Sequence, residues 1–442
     1  MSRDRRFEAA LEGITAPGAR RDISLDPKHI YTLAELVDIA ERNNPETRAS
    51  WERAKQQAAV VGIERSELFP TVAAVASASR SQYAFFMGRF YRENFATFPA
   101  TAELTYTLLD LARGSRIDHA KAELLAADFE FNNTHRRIVF QVAAAYYQLL
   151  NATTQEDAAR ATLADARTVQ EAVETRLANG LGTSPDVLEA RAASAQAQYE
   201  LASIKGLEEI SRGGLATVLG VSPATEFAVE DVSKLLTPGA VGPIEVIMRR
   251  GIAQRPDLLA QVARIRSADA DVEQARAAYY PVLSVFADWG HRNSYGSQLK
   301  APWVSSQIYP YSAELNFNWT IFDGGARRNE LARAKAERKE MEARATASRD
   351  QIEDEIWTSY TTLKTALAQQ EAAEALLASA RESYDAATEA FQSGVRTFID
   401  VSSAQRQLAR ARSAQASARI EVLNGLADLA FRAADPIPMT GP

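Results

Sequence analysis

The strongest constraint on this chain is that it is written twice. Near residue 45 it reads NPETRASWERAKQQAAVVGIERSELFPTV, and near residue 256 it reads RPDLLAQVARIRSADADVEQARAAYYPVL. Pro45 and Pro70 recur 211 positions later as Pro256 and Pro281, and Ala102-Glu103-Leu104 recurs at the same offset as Ala313-Glu314-Leu315. Lys121-Ala122-Glu123, Tyr146, Gly180 and Asp186 recur 214 positions later as Lys335-Ala336-Glu337, Tyr360, Gly394 and Asp400. A register held over that span identifies a tandem duplication, so any fold must build the same unit two times.

Each copy reads as helix, strand, strand, long helix, turn, helix. Pro45 and Pro256 suit the first turn of a helix, where a missing N–H is harmless. Alanine, Glu, Gln and Arg, all good helix formers, dominate residues 46–67 and 257–279. Pro70 and Pro281 stop these helices, because proline lacks the donor and clashes with the preceding turn. The period then changes from 3.6 to 2. Thr101-Ala102-Glu103-Leu104-Thr105-Tyr106-Thr107-Leu108 and Tyr311-Ser312-Ala313-Glu314-Leu315-Asn316-Phe317-Asn318-Trp319-Thr320-Ile321 alternate without a break, as a strand with one apolar face does. The earlier strand of the second copy is less regular: Leu283, Val285, Ala287 and Trp289 share a face, but Phe286 interrupts the other.

From about Ser115 to Ala178 and from Ala326 to Gln392 there is neither proline nor glycine, so each stretch predicts a rod of about 100 Å. Gly180 and Gly394 fit helix C-caps. Thr183-Ser184-Pro185-Asp186 supplies cap residues for the next helix, which ends near Leu219-Gly220, and the matching helix spans about Phe398 to Phe431. The fold class is α+β, mostly α. The chain divides into a first repeat at 1–220 (strands about 70–86 and 99–110), an irregular linker at 221–243, a second repeat at 244–433 (strands about 281–291 and 310–322) and a tail at 434–442.

Composition excludes several functions. Without cysteine no disulfide, thiolate metal site, cysteine nucleophile or lipidated N-terminal cysteine is expected. His29, His119, His135 and His291 are scattered, so no metal or other cofactor is expected and they read as surface or packing residues. A net charge of −7 argues against a nucleic-acid partner. Arg212-Gly213-Gly214 lacks the spaced glycines and the Lys-Ser/Thr pair of a phosphate loop, and with no nucleophile constellation an enzyme is not expected. No run of 18 apolar residues occurs, which argues against membrane-spanning helices. The opening stretch MSRDRRFEAALEGITAPGARRD has basic residues with no apolar core behind them and does not read as a secretory signal.

The strands point to a membrane nonetheless. Of 36 aromatic residues, 19 fall within 83–110 and 279–322, with Trp289, Tyr295, Trp303, Tyr309, Tyr311, Trp319 and Phe322 at strand ends and in the loop between. An apolar outer face flanked by aromatics is how a β-barrel meets lipid. Lipid cannot satisfy an open sheet edge, and one chain offers four strands where barrels begin at about eight. Chains must therefore share a barrel, and a trimer with twelve strands is the natural closed solution. A soluble coiled-coil scaffold with a small β-layer is the competing reading. The unbroken alternation at repeat-equivalent positions, with aromatics beside it, favours the barrel.

From Tyr31-Thr32-Leu33-Ala34-Glu35-Leu36 to about Ala433 the sequence resembles the TolC-type outer-membrane efflux proteins. The most specific pieces are Asn318-Trp319-Thr320-Ile321-Phe322-Asp323-Gly324-Gly325 and Ser393-Gly394-Val395-Arg396-Thr397-Phe398-Ile399-Asp400-Val401. Asn179-Gly180-Leu181-Gly182-Thr183-Ser184-Pro185-Asp186-Val187 looks like the matching turn of the first copy. The resemblance implies a homotrimer whose shared twelve-stranded barrel sits in the outer membrane and continues as an α-helical tunnel into the periplasm. It implies a passive exit duct for small molecules in a tripartite efflux system. A periplasmic adaptor protein and an inner-membrane transporter would dock at the helical end, with outer-membrane lipid around the barrel. Type I protein secretion is the alternative within the same fold. Members carry an export signal, and many begin with a lipidated cysteine; the sequence in hand shows neither.

The resemblance also assigns residues. An aspartate matching Asp400 lines the closed entrance at the periplasmic tip, and an arginine matching Arg396 helps latch neighbouring helices. Asp186 matches the partner of this latch, Phe391 stands where a latch tyrosine is common, and Ser403 takes the place of a second constriction aspartate. Gly180, Leu181, Gly394 and Val395 resemble the tip residues that adaptors contact, although the two glycines also fit ordinary C-caps. Three Asp400 carboxylates converging on an axis would attract cations. Asp186 and Asp400 equally suit helix N-termini, where carboxylates are favoured. Arg113, Arg116, Arg327 and Arg328 read as solvated positions at the barrel–helix junction.

Overall fold

The computed structural model describes residues 25–86, 88–231, 242–297 and 304–436. Residues 1–24 of the first repeat, 232–241 of the linker, 437–442 of the tail, and Trp303, lie outside the described residues. The first copy runs β1 (Ile30–Tyr31), α1 (Leu33–Asn43), α2 (Pro45–Ser66), β2 (Thr71–Ala76), β3 (Ser79–Phe86), β4 (Phe90–Leu109), α3 (Ala112–Ala178) and α4 (Ser184–Val218). After β5 (Ala228–Val229), the second copy runs α5 (Ile244–Gln254), α6 (Pro256–Ala277), β6 (Val282–Ser297), β7 (Val304–Ile308), β8 (Tyr311–Asn318), α7 (Ala326–Gln392) and α8 (Phe398–Arg432). The helices match pairwise in length: 11 residues for α1 and α5, 22 for α2 and α6, 67 for α3 and α7, and 35 for α4 and α8. Four equal pairs put the duplication beyond coincidence.

One compact unit holds residues 52–129 and 259–346. Its sheet has four antiparallel staves in chain order: β2 with β3, then β4, then β6, then β7 with β8. Val72, Leu104, Ala287 and Ala313 form one row across the staves, and Ala74, Ala102, Trp289 and Tyr311 form another. Alternate side chains point to opposite faces, so these rows share the apolar face. The rows Thr71-Thr105-Phe286-Glu314 and Ala73-Glu103-Asp288-Ser312 share the other. Among the described residues, none from the staves enters a buried apolar cluster, and Val72, Tyr311, Leu315 and Phe317 remain 65–81% exposed.

Strand bounds differ from the sequence expectation in instructive ways. β4 begins at Phe90 instead of near 99, and β6 continues to Ser297 instead of 291. Residues 90–97 lack a clean alternation yet pair one by one with β3, from Ser79 opposite Thr97 to Phe86 opposite Phe90, so backbone pairing sets the length. β8 ends at Asn318 instead of 322, because its partner strand opens at Val282, directly after Pro281, which has no N–H to give. The edge staves are interrupted at residues 77–78, opposite Pro99, and at 309–310. Pro99 and Pro310 hold the same place in the two copies, 211 residues apart, and each removes a ladder donor.

Where staves meet helices, the arginines are tied down. Asp110 accepts from the Ala112 amide at 2.9 Å and from Arg116 Nη2 at 2.8 Å, and Arg116 also reaches Glu67. Arg113 donates to the Thr107 carbonyl. Asp323 accepts from the Gly325 amide at 3.0 Å and from Arg327 Nε at 2.6 Å, and the Arg327 guanidinium lies 5.1 Å over the Tyr279 ring. These three arginines fasten helix starts to strand ends, in place of the freely solvated role expected; Arg328 is exposed.

Among the described residues, the other unit holds 25–51, 130–231, 242–258 and 347–436. Along α7 the buried residues Ile352, Ile356, Ser359, Leu363 and Ala366 alternate spacings of four and three, and Val401, Ala404, Leu408 and Ala411 do so along α8. A sustained seven-residue repeat is the signature of a left-handed coiled coil. Gly425 permits close approach: a Cβ there would stand 3.3 Å from Leu363 Cα. Where α1 meets α3 and α4, Leu36, Ile138, Val142, Tyr146 and Leu215 form an apolar core. The parallel pair β1–β5 and the hydrogen bond from Tyr146 Oη to Glu230 O (2.5 Å) lie beside it. The second copy builds the matching apolar core from Ile247, Ile352, Ile356 and Leu429 and adds a chain of charges. Arg255, 11% exposed, bonds Asp257 and Glu355 at 2.5 and 2.6 Å. Arg432 links Glu355 (3.0 Å) to Asp428 (3.2 Å), which accepts from Ser359. Among the described residues no helix is long and apolar enough to cross a membrane.

Candidate functional site

The two helical turns carry the residues singled out from the sequence, all within the helical unit. α3 ends with Gly180 at φ +72° and α7 with Gly394 at φ +77°, a left-handed backbone that favours glycine. In the first turn the Gly180 amide donates to Leu177 O (2.9 Å) and the Leu181 amide to Arg176 O (2.8 Å). In the second, the Gly394 amide donates to Phe391 O (3.0 Å) and the Val395 amide to Ala390 O (2.9 Å). Both are Schellman caps, so the glycines have the capping role. Leu181 and Val395, one residue on, are 70% and 80% exposed.

The aspartates bond within their own turns. Thr183 Oγ1 donates to Asp186 Oδ2 at 2.7 Å. Thr397 gives Asp400 Oδ2 two bonds, from its amide at 3.1 Å and from its hydroxyl at 2.9 Å, and Arg396 Nη1 reaches Asp400 Oδ1 at 3.3 Å. The Thr397 amide and then its hydroxyl hold the Asp400 carboxyl below the usual carboxylate range against the opposing effect of burial, and the Arg396 charge adds a lesser pull in the same direction. Asp186 and Arg396 thus each have a partner inside their own turn. Ser403 is half-buried on α8 one turn beyond Asp400.

Phe391 is buried in an apolar cluster with Phe398, Val169, Val173, Val187, Ala190 and Val401, which joins both turns. Across it lies a residue that sequence reasoning missed. Arg176 Nη1 donates to Phe391 O at 2.9 Å and Gln392 O at 3.4 Å, with its guanidinium 4.7 Å over the Phe391 ring. The signal was present: the repeat-equivalent position, 214 residues later, is Ala390, so this arginine belongs to one copy alone. Among the described residues no group of three His, Asp or Glu could hold a metal ion.

Comparison with known proteins gives this architecture a context. CyaE of Bordetella pertussis is 29% identical over 376 residues, covering 82% of this chain and 76% of that protein. The toluene efflux pump outer membrane protein TtgC of Pseudomonas putida is 24% identical over 412 residues, covering 91% and 82%. The solved outer-membrane channel OprN matches the fold with a TM-score of 0.80 at 20% identity, over 95% of each chain. The sequence pattern of outer membrane efflux proteins matches residues 36–221 and again residues 248–433, one match on each copy. On that double match, the chain belongs to the outer membrane efflux protein family, a family of transport channels and not of enzymes.

Proposed function

We propose that three copies of this chain close one twelve-stranded barrel in the outer membrane, continued by a tunnel of helices toward the periplasm. The assembly is the passive exit duct of a tripartite efflux system for small molecules. The observation that carries this reading is the sheet: one apolar face lies outside every core, and each edge stave is paired on a single side among the described residues. Lipid tolerates only a closed sheet, and four staves are about half of the smallest barrels. α4 supports the same conclusion. Leu188, Tyr199 and Ile210, spaced eleven residues apart on one stripe, are 62–72% exposed and suit coverage by a neighbouring copy.

The two family matches support a division into repeats at 1–220 and 244–433, with 221–243 and 434–442 outside them. The likeness to a toluene efflux pump component supports a small-molecule cargo. An adaptor protein, and through it an inner-membrane transporter, engages the apex at Gly180, Leu181, Gly394 and Val395, where two apolar side chains stand exposed. Asp400 and Ser403 narrow the entrance, while Arg396, Asp186 and Phe391 restrain it. Converging carboxylates would favour cations there. In planar bilayers, Asp400→Ala is expected to raise conductance or lower cation preference; current and selectivity equal to the parent channel would remove Asp400 from the pore.

A further inference from the structure

We infer that Arg176 is the clasp that makes the two helical turns of one chain move as a single gate leaf, a positioning role that rests on reading these turns as the channel entrance. The carbonyls it binds, Phe391 O and Gln392 O, belong to the last turn of α7. A helix leaves acceptors there without partners inside the helix, and a cation there also faces the negative end of the helix dipole. α7 has no basic residue in its own last turn, whereas α3 ends with Arg176. One copy's helix therefore supplies the capping cation that the other lacks.

The surroundings give the contact leverage. Phe391 lies under the guanidinium and packs with Phe398 from the second turn and with Val173 and Val187 from the first. Asp186 and Arg396 bond inside their own turns, so they do not join the copies within one chain. Among the described residues, a second polar contact between the copies near the turns, Ser402 Oγ to Glu189 Oε1, is long at 3.5 Å. With the clasp intact, a displacement of one turn carries the other. Without it, each turn moves alone and the closed entrance leaks.

The test uses the full chain, with single-channel current in planar bilayers and amide exchange in detergent read on the same variants. Arg176→Ala should raise the resting current several-fold and speed exchange at 177–183 and 391–397 together. Arg176→Lys keeps the charge but loses the forked donor and the flat face, so an intermediate effect is expected; it carries the test if the alanine variant does not fold. Thr183→Ala, which loosens one cap, should speed exchange in the first turn alone. If Asp400→Ala changes the current while both Arg176 variants match the parent in current and exchange, the clasp is wrong and the entrance stands. Faster exchange in only one turn of Arg176→Ala also overturns the coupling. If no variant at Asp400 or Arg176 changes the current, the entrance reading fails and takes the clasp with it.

Discussion

α4 and α8 are copies of one helix, 35 residues each, yet they live in different surroundings. α8 has fifteen buried residues and α4 has six. α8 touches α3 through Arg412–Asp165 (2.5 Å) and the Gln155–Ser417 hydrogen bond (3.0 Å), and it packs on α7 through Gly425 and Leu363. The stripe of Leu188, Tyr199 and Ile210 on α4 stays exposed. The sheet repeats the lesson: β6 is paired on both sides, whereas β2 and β3, which cover the corresponding residues of the first copy, are paired on one. In such a pair duplication leaves one member inside and the other at a seam, and β4 against β7 and β8 shows the same with the copies exchanged. In the proposed assembly, a neighbouring copy supplies what the seam lacks.

The sharpest way to break that contrast is to charge the seam. Tyr199→Glu combined with Ile210→Glu should change the stability of a lone chain by no more than about 0.5 kcal/mol per site, since both positions are exposed. The same pair should abolish assembly, read as a fall in particle mass in detergent. A mass equal to the parent's would show that α4 is not covered by a neighbour.

The next effect separates the second copy, whose apolar core is joined by a chain of charges, from the first, whose core is not. Glu355→Leu leaves Arg255 without one partner and Arg432 without another, and should cost about 2–3 kcal/mol in chemical unfolding. Gln141→Leu, at the exposed repeat-equivalent position, should stay within about 0.5 kcal/mol. Acid should discriminate likewise. Burial raises the Asp257 and Glu355 carboxyls, but the hydrogen bonds and charge of Arg255, with Arg432 added at Glu355, outweigh it and hold both below the usual range. Their contribution is therefore complete above the ordinary carboxylate range, near pH 4, and is lost as pH falls through the depressed values beneath it. Amide exchange in α5 and at the end of α8 should accelerate on acidification, while the α1 core, which lacks this charged chain, changes less.

The smallest effect tests where the copies remain alike. Gly180→Ala and Gly394→Ala each force a left-handed alanine, and nothing within 4 Å would meet the added Cβ. Each should cost about 1 kcal/mol, from backbone conformation alone. Unequal losses in thermal unfolding would show that the two turns are not equivalent.

Local pattern made part of this molecule legible. The alternation at 101–108 and 311–321 identified the apolar face that the register confirms as far as Asn318, and the glycines at 180 and 394 marked both caps. Pairings distant in sequence were not legible. Arg255 meets Glu355, and Arg176 meets the carbonyl of Phe391, across 100 and 215 residues. Nothing in the neighbourhood of an arginine announces which acceptor the fold will bring to it. Residues 90–97 hid for a related reason, since their strand is fixed by β3 opposite them and not by their own periodicity.

The central claim is that four staves with an apolar face need other copies to close them. Imaging of detergent-purified particles tests it most directly. The account predicts three chains about a three-fold axis, with the outer staves of adjacent chains paired into one continuous barrel. A single chain, monodisperse in detergent-free buffer with Val72, Leu315 and Phe317 packed into its own interior, would contradict it.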